Sequence, residues 1–232
     1  MSQSKATHHL RAVPARAAQS APASLRDQAY ERIKRRIITL EYRPGGYLNA
    51  AGISEDLKLG FTPVSQALAR LELEGMIEII PRKGAIVRSV SMDEVLQIID
   101  VRLVNETRCA ELAAQRASAA DLGELEAILG RAAPLVRARN VEGLMQLDRE
   151  FHIVLSRAAG NPVLAEILLG LHERSLRFWF ISLSDRDHLA AVQREHRAVL
   201  QALRSRDARA AAAAMRAHIE SFRATIARSA QD

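Results

Sequence analysis

Strand-like sequence occurs in one place in this chain. Two short β-branched runs, Ile77 to Ile80 and Ala85 to Val90, flank Pro81-Arg82-Lys83-Gly84. The pair reads as a hairpin with a basic tip. After Ser91 no strand signal remains, so the rest of the ordered chain has to be helix. Composition agrees: aromatic residues make up only 4% while alanine and leucine are plentiful, a balance that favours helices over sheets.

Three helical stretches precede the hairpin. Leu25 to Leu40 places Tyr30, Ile33, Ile37 and Leu40 on one face, the periodicity of a half-buried helix. Arg43-Pro44-Gly45-Gly46 breaks the chain, a short helix runs from about Ala50 to Leu57, and Lys58-Leu59-Gly60-Phe61 turns it. Thr62 as N-cap and Pro63 at the first helical position predict the next helix. Its buried face is Val64, Ala67, Leu68 and Leu71, and Gly75 ends it. Helix, helix, helix, basic hairpin is the order of a winged helix-turn-helix.

Ser91-Met92-Asp93-Glu94 is a capping box that opens a new helix. Helices are predicted at about 92–116, 119–139, 141–159, 162–183, 186–205 and 208–229, separated by Ser118, Asn140, Gly160-Asn161-Pro162, Ser184-Asp185 and Asp207. The expected fold class is therefore mainly α: an N-terminal winged helix-turn-helix plus a C-terminal six-helix antiparallel bundle. The expected division is 1–24 as a disordered basic tail, 25–90 as the winged unit and 91–232 as the helical one.

The charge is placed unevenly. The net charge is +6; residues 1–24 and 25–90 each contribute +3, and residues 91–232 none. A polyanion partner for the first ninety residues follows, since phosphate contacts release counterions. A merely soluble basic surface would look the same by charge alone. The single cysteine, Cys109, excludes a disulfide framework and suits a reducing cytosol; it reads as buried packing. No apolar run approaches the roughly 20 residues needed to span a bilayer. The expected location is cytoplasmic, without a membrane partner.

Asp148 and His152 stand four apart, on one helix face one turn apart. His196 and His218 lie on two later helices, each beside apolar residues at helical spacing, Val199-Leu200 and Ile219 with Phe222. Three neutral imidazoles and one carboxylate suit Zn²⁺, Ni²⁺ or another divalent transition ion. Spacing alone fits packed core or surface histidines at least as well. His172 and His188 have no partner at ligand spacing, and His8 and His9 fall in the tail.

Several segments together resemble the GntR family of transcription regulators, FadR-type subgroup. They are Leu25 to Tyr30, Arg43-Pro44-Gly45, Thr62-Pro63-Val64, Ala67 to Glu72, Gly75-Met76-Ile77 and Arg82 to Val87. In the second half they are Val101-Arg102, Asp148 to His152, Gly160-Asn161-Pro162, Glu195-His196-Arg197 and Met215 to His218. The resemblance runs from Leu25 to the end. It implies a homodimer that binds double-stranded DNA at an inverted-repeat operator, probed by a helical effector domain of the FCD type. It implies a repressor rather than an enzyme. The metal-binding branch of the family places an Asp, a His four residues later and two further His on later helices. Asp148, His152, His196 and His218 match that set, and a small carboxylate metabolite is the implied effector. Arg102 occupies the family's inward arginine position and can meet an acid as a fork; an ion pair with Glu106 is the structural alternative. Trp179, in Phe178-Trp179-Phe180, either walls the pocket or packs in the core.

One departure bears on DNA reading. Where the family usually carries arginines at the start of the recognition helix, this chain has Phe61 and Ser65, and the preceding helix carries Ala51 and Gly52. Arginine is the best bidentate reader of guanine. The remaining DNA-facing set is Thr62, Ser65, Gln66 and Arg70 on the recognition helix, with Lys58 and the wing residues Arg82, Lys83 and Gly84 at the phosphates. An unusual operator, read partly by Gln66 at adenine, is expected. Two other readings compete: a helical-bundle metalloenzyme, which lacks a general base beside its ligands, and an adaptor with a degenerate winged helix.

Overall fold

Ser24 starts the ordered chain by accepting a hydrogen bond from the Asp27 amide, capping helix α1 (Leu25–Ile38). The computed structural model describes residues 24–89, 91–182 and 186–229, without the side chains of Arg177, Trp179, 181–188 and Ser229. The tail expected over residues 1–24 lies almost wholly outside them. After α1, Leu40 turns the chain at φ 60. The order continues as β1 (Tyr47–Leu48), α2 (Ala50–Leu57), α3 (Phe61–Leu73), β2 (Ile77–Ile80) and β3 (Gly84–Val87). β3 is the central strand of an antiparallel sheet in the order β1-β3-β2. The two-residue β1 carries no periodicity of its own, and only its pairing with Ala85 and Ile86 makes it a strand.

The recognition helix starts two residues earlier than its sequence suggests. Lys58 closes α2 in the left-handed region, Gly60 is extended, and Gly60 rather than Thr62 is the N-cap. Pro63 is then the third helical residue, still within the first turn, where no intrahelical N–H is lost. Tyr30, Ile33, Ile37, Val64, Leu68, Leu71, Met76 and Val87 form the core between α1, α3 and the sheet.

The wing turn depends on one glycine. Lys83 N–H donates to the Ile80 carbonyl at 3.0 Å, with Arg82 at φ 64, and Gly84 follows at φ +118. A Cβ on Gly84 would stand 2.6 Å from the Leu48 carbonyl oxygen and from the Tyr47 hydroxyl. Gly84→Ala is therefore expected to destabilise the protein by more than about 1 kcal/mol. Urea denaturation reads this directly; an unchanged midpoint would show that β1 yields.

The second half is helical throughout its described residues: α4 (Met92–Arg116), α5 (Ala119–Gly130), α6 (Ala132–Ala138), α7 (Val141–Ala158), α8 (Pro162–Ser182), α9 (Arg186–Arg204) and α10 (Ala208–Ser229). Ser118, Asn140 and Asp207 cap α5, α7 and α10 as their sequence predicts. The helix expected over 119–139 is two helices. Pro134 lacks an N–H, and its ring would clash with the carbonyl four residues back, at Gly130; the break falls there. α4 lies along α10 and also packs on α7, α8 and α9. Phe151, Phe222, Leu125, Val199, Leu203 and Met215 are at most 2% exposed in its core. Ile38, at the end of α1, packs into this second core, so α1 belongs to both. Among the described residues no helix is long and apolar enough to cross a membrane.

Candidate functional site

Asp148 and His152 stand one turn apart on α7 and face the bundle interior, where His196 of α9 and His218 of α10 meet them. One ligand atom from each of the four lies within 4.8 Å of all the others. From Asp148 Oδ1, His196 Nε2 is at 3.3 Å and His152 Nε2 at 3.7 Å. Asp148, His196 and His218 are each 1% exposed. The rings are held from outside. Phe151 stacks on His196 at 4.2 Å, Glu106 Oε2 lies 2.8 Å from His152 Nδ1, and Glu195 Oε2 lies 2.8 Å from His218 Nδ1. Carboxylates at Nδ1 fix the tautomer that turns a bare Nε2 inward.

The cluster fits a divalent cation by what it leaves open. Both Asp148 oxygens and the Nε2 atoms of His152, His196 and His218 have no hydrogen-bond partner among the described residues. Five inward polar atoms without partners would be costly in a dry core; an ion at their centre satisfies all of them. Metal bonds of about 2.0–2.2 Å at right angles set ligand atoms about 3 Å apart, close to the separations present. Burial raises the Asp148 pKa, against the pull of His152, His218 and Arg102. Burial holds His196 well below its usual range, keeping the ring neutral and able to ligate. His152 is raised: burial opposes its protonation, but Glu106 and Asp148 outweigh it.

Arg102 of α4 is fully buried. Its Nε pairs with Glu106 Oε1 at 2.6 Å, its guanidinium carbon lies 5.6 Å from the Phe222 ring, and both terminal nitrogens lack partners among the described residues. The ion pair with Glu106 that the sequence offered is present; it engages Nε and leaves the two terminal nitrogens open. Burial opposes ionisation of Glu106, yet Arg102 and His152 hold it well below the usual carboxylate range. A cavity of about 20 Å³ adjoins, lined among others by Glu106, Cys109, Arg149, His152 and His172. It has room for about one water-sized group. Burial pushes the Cys109 thiol up to about 12, which makes it inert packing. The Trp179 side chain lies outside the described residues; Phe178 and Phe180 pack half-buried against the core.

Sequence spacing missed one residue. His172 of α8 is 4% exposed, and its Nε2 lies 3.6 Å from Asp148 Oδ2. Only the packing of α8 on α7 brings it there, and no spacing within one helix could have shown it.

At the other end of the molecule, Phe61, Thr62, Gln66, Lys58, Arg82 and Lys83 are exposed, while Ser65 and Gly84 are half-buried. Phe61, 60% exposed, stands at the start of α3. Arg70 is engaged behind the helix: its guanidinium lies 3.6 Å from the Tyr30 ring centroid and 3.2 Å from Glu74.

The sequence matches two family models, "Bacterial regulatory proteins, gntR family" over residues 25–87 and "FCD domain" over residues 97–221. It is 25% identical over 202 residues to the HTH-type transcriptional repressor RspR of Escherichia coli K12, covering 86% of this chain and 87% of that protein. It is 23% identical over 187 residues to the HTH-type transcriptional regulator McbR of the same strain, covering 79% and 84%. The fold is similar to that of E. coli McbR/YncC, with a TM-score of 0.78 at 22% identity over 90% of this chain and 99% of the other. It is also similar to a GntR transcriptional regulator from Rhodococcus sp. RHA1, with a TM-score of 0.71 at 18% identity over 87% and 97%.

Proposed function

The chain belongs to the gntR family of bacterial transcription regulators with an FCD domain, and we propose that it is a metabolite-responsive repressor whose helical half binds a divalent transition metal and a small organic acid. Both matched families are those of regulators, not of enzymes. Residues 25–90 bind double-stranded DNA in the cytoplasm, and residues 91–232 sense the acid. The observation that carries the metal reading is the set of inward atoms without partners on Asp148, His152, His196 and His218. Zn²⁺ or Ni²⁺ suits this donor set. Held by Asp148, His152, His196 and His218, the ion would supply a Lewis-acidic anchor for a carboxylate. Arg102 adds two parallel N–H donors beside it, and a fork matches a carboxylate better than a point charge does.

The protein acts as a homodimer on a short inverted repeat, because one winged helix contacts too few base pairs for useful specificity. A gel shift on the DNA upstream of its own gene tests the reading, and retardation should weaken steeply with salt. Arg82→Ala and Lys83→Ala are expected to weaken binding to all sequences about equally. Gln66→Ala is expected to relax discrimination at one base position by about 1–3 kcal/mol. No retardation of that DNA at low salt would favour the adaptor reading; an unchanged sequence preference in Gln66→Ala would remove that residue from base reading.

A further inference from the structure

We propose that His172 is a fifth protein ligand of the metal centre, giving it four imidazoles, one carboxylate and a single position for the acid. The inference rests on the metal reading above and extends it. His172 Nε2 lies 3.6 Å from the Asp148 carboxylate, between the 3.3 Å of His196 and the 3.7 Å of His152. Its ring centroid is 5.2 Å from that of His152, closer than those of His196 and His218 at 5.5 Å each. By distance to the carboxylate His172 matches His152, although its nitrogens fall outside the group of Asp148, His152, His196 and His218 atoms that lie within 4.8 Å of one another.

The ring is also without a role of its own. It is 4% exposed, and neither ring nitrogen has a hydrogen-bond partner among the described residues. Even a neutral imidazole always presents one donor and one acceptor, and a core that leaves both unmet needs a partner that arrives later.

His172 differs from the others in approach. His152 and His196 address Asp148 Oδ1, whereas His172 addresses Oδ2. An ion bound through both Asp148 oxygens would lie between the two sides, and the His172 ring would have to close on it from outside the 4.8 Å group. Five protein ligands exceed a tetrahedral set and leave one vertex of an octahedron. This arrangement favours Ni²⁺ over Zn²⁺, whose structural sites are tetrahedral. One position would then remain for an oxygen of the acid, and Arg102, whose terminal nitrogens both lack partners among the described residues, is free to pair with it.

The test is X-ray absorption on the full-length, untagged protein loaded with Ni²⁺, as wild type and as His172→Gln. Four imidazoles per ion in the wild type and three in the variant are expected, with Ni²⁺ affinity in the variant at least about tenfold weaker. Three imidazoles in the wild type overturn the proposal whatever the variant does, so a variant that fails to fold does not protect it. Three imidazoles also leave the four-residue metal site standing. A wild type that takes up no ion overturns the metal reading and this inference with it.

Discussion

Adding Ni²⁺ or Zn²⁺ to chelator-stripped protein is expected to raise its unfolding free energy by about 4 kcal/mol when the free ion exceeds its Kd about a thousandfold. The effect is large because the ligands come from α7, α9 and α10, which no local interaction in the unfolded chain holds together. It is positive because the ion relieves five buried atoms that otherwise lack partners. His196→Ala should remove most of the increment. That substitution also opens a cavity beside Phe151, on which the imidazole stacks. The readout is therefore the gain on adding metal, measured within each protein, and not the absolute stability. Elemental analysis of untagged protein before and after chelation gives the stoichiometry. Less than one ion per chain, with no stability gain on adding either metal, would exclude the site and leave the DNA-binding assignment untouched, since that rests on separate residues.

What the sequence shows of this molecule follows the range of its interactions. The periodicity of α1, the caps Ser118 and Asn140, and the pairing of Asp148 with His152 are all local, and all are present where the sequence puts them. The break at Arg131 was also written locally, in Pro134, but alanines on both sides hide it within a run of good helix formers. β1 and His172 are different in kind. A two-residue strand exists only because β3 pairs with it. His172 reaches the cluster only because α8 packs on α7. The same limit applies to Arg70. Its position on α3 suits DNA, and the i,i+4 pair with Glu74 is local, but the Tyr30 ring under its guanidinium comes from α1, far off in sequence.

Glu173→Ala is expected to destabilise the protein by about 3 kcal/mol or more, the cost of removing one partner from a buried ion pair. Lys34 of α1, 5% exposed, pairs with Glu173 of α8, 7% exposed. Lys34 Nζ also donates to the Tyr30 hydroxyl at 2.7 Å and lies 3.4 Å from Glu74, the C-cap of the recognition helix. On the other side Arg149 Nε donates to Glu173 at 2.6 Å. Without Glu173, Lys34 keeps only the half-buried Glu74 and a hydroxyl, so a buried ammonium is left under-compensated. Lys34→Met should cost less, because an apolar chain of similar length fills the space and Arg149 still holds Glu173. The double variant Lys34→Met, Glu173→Gln should be closest to wild type, since exchanging a whole buried pair for uncharged groups is often near neutral. Urea denaturation orders the three, and a loss under about 1 kcal/mol in Glu173→Ala would show that solvent in the adjoining cleft of about 530 Å³ screens the pair. The double variant then reports on coupling. Asp148 and His172 face the Asp-His cluster, and the residues next to them, Arg149 and Glu173, pair with one another, Glu173 also pairing with Lys34. A shift of α7 against α8 at the cluster would therefore move the Lys34–Glu173 pair, and with it Lys34, which also contacts Glu74 at the end of the recognition helix. In the double variant the metal-dependent change in DNA affinity should shrink while stability is kept. An undiminished change would place the coupling elsewhere, along the Ile38 contact that joins α1 to the second core or the Arg35–Glu142 pair.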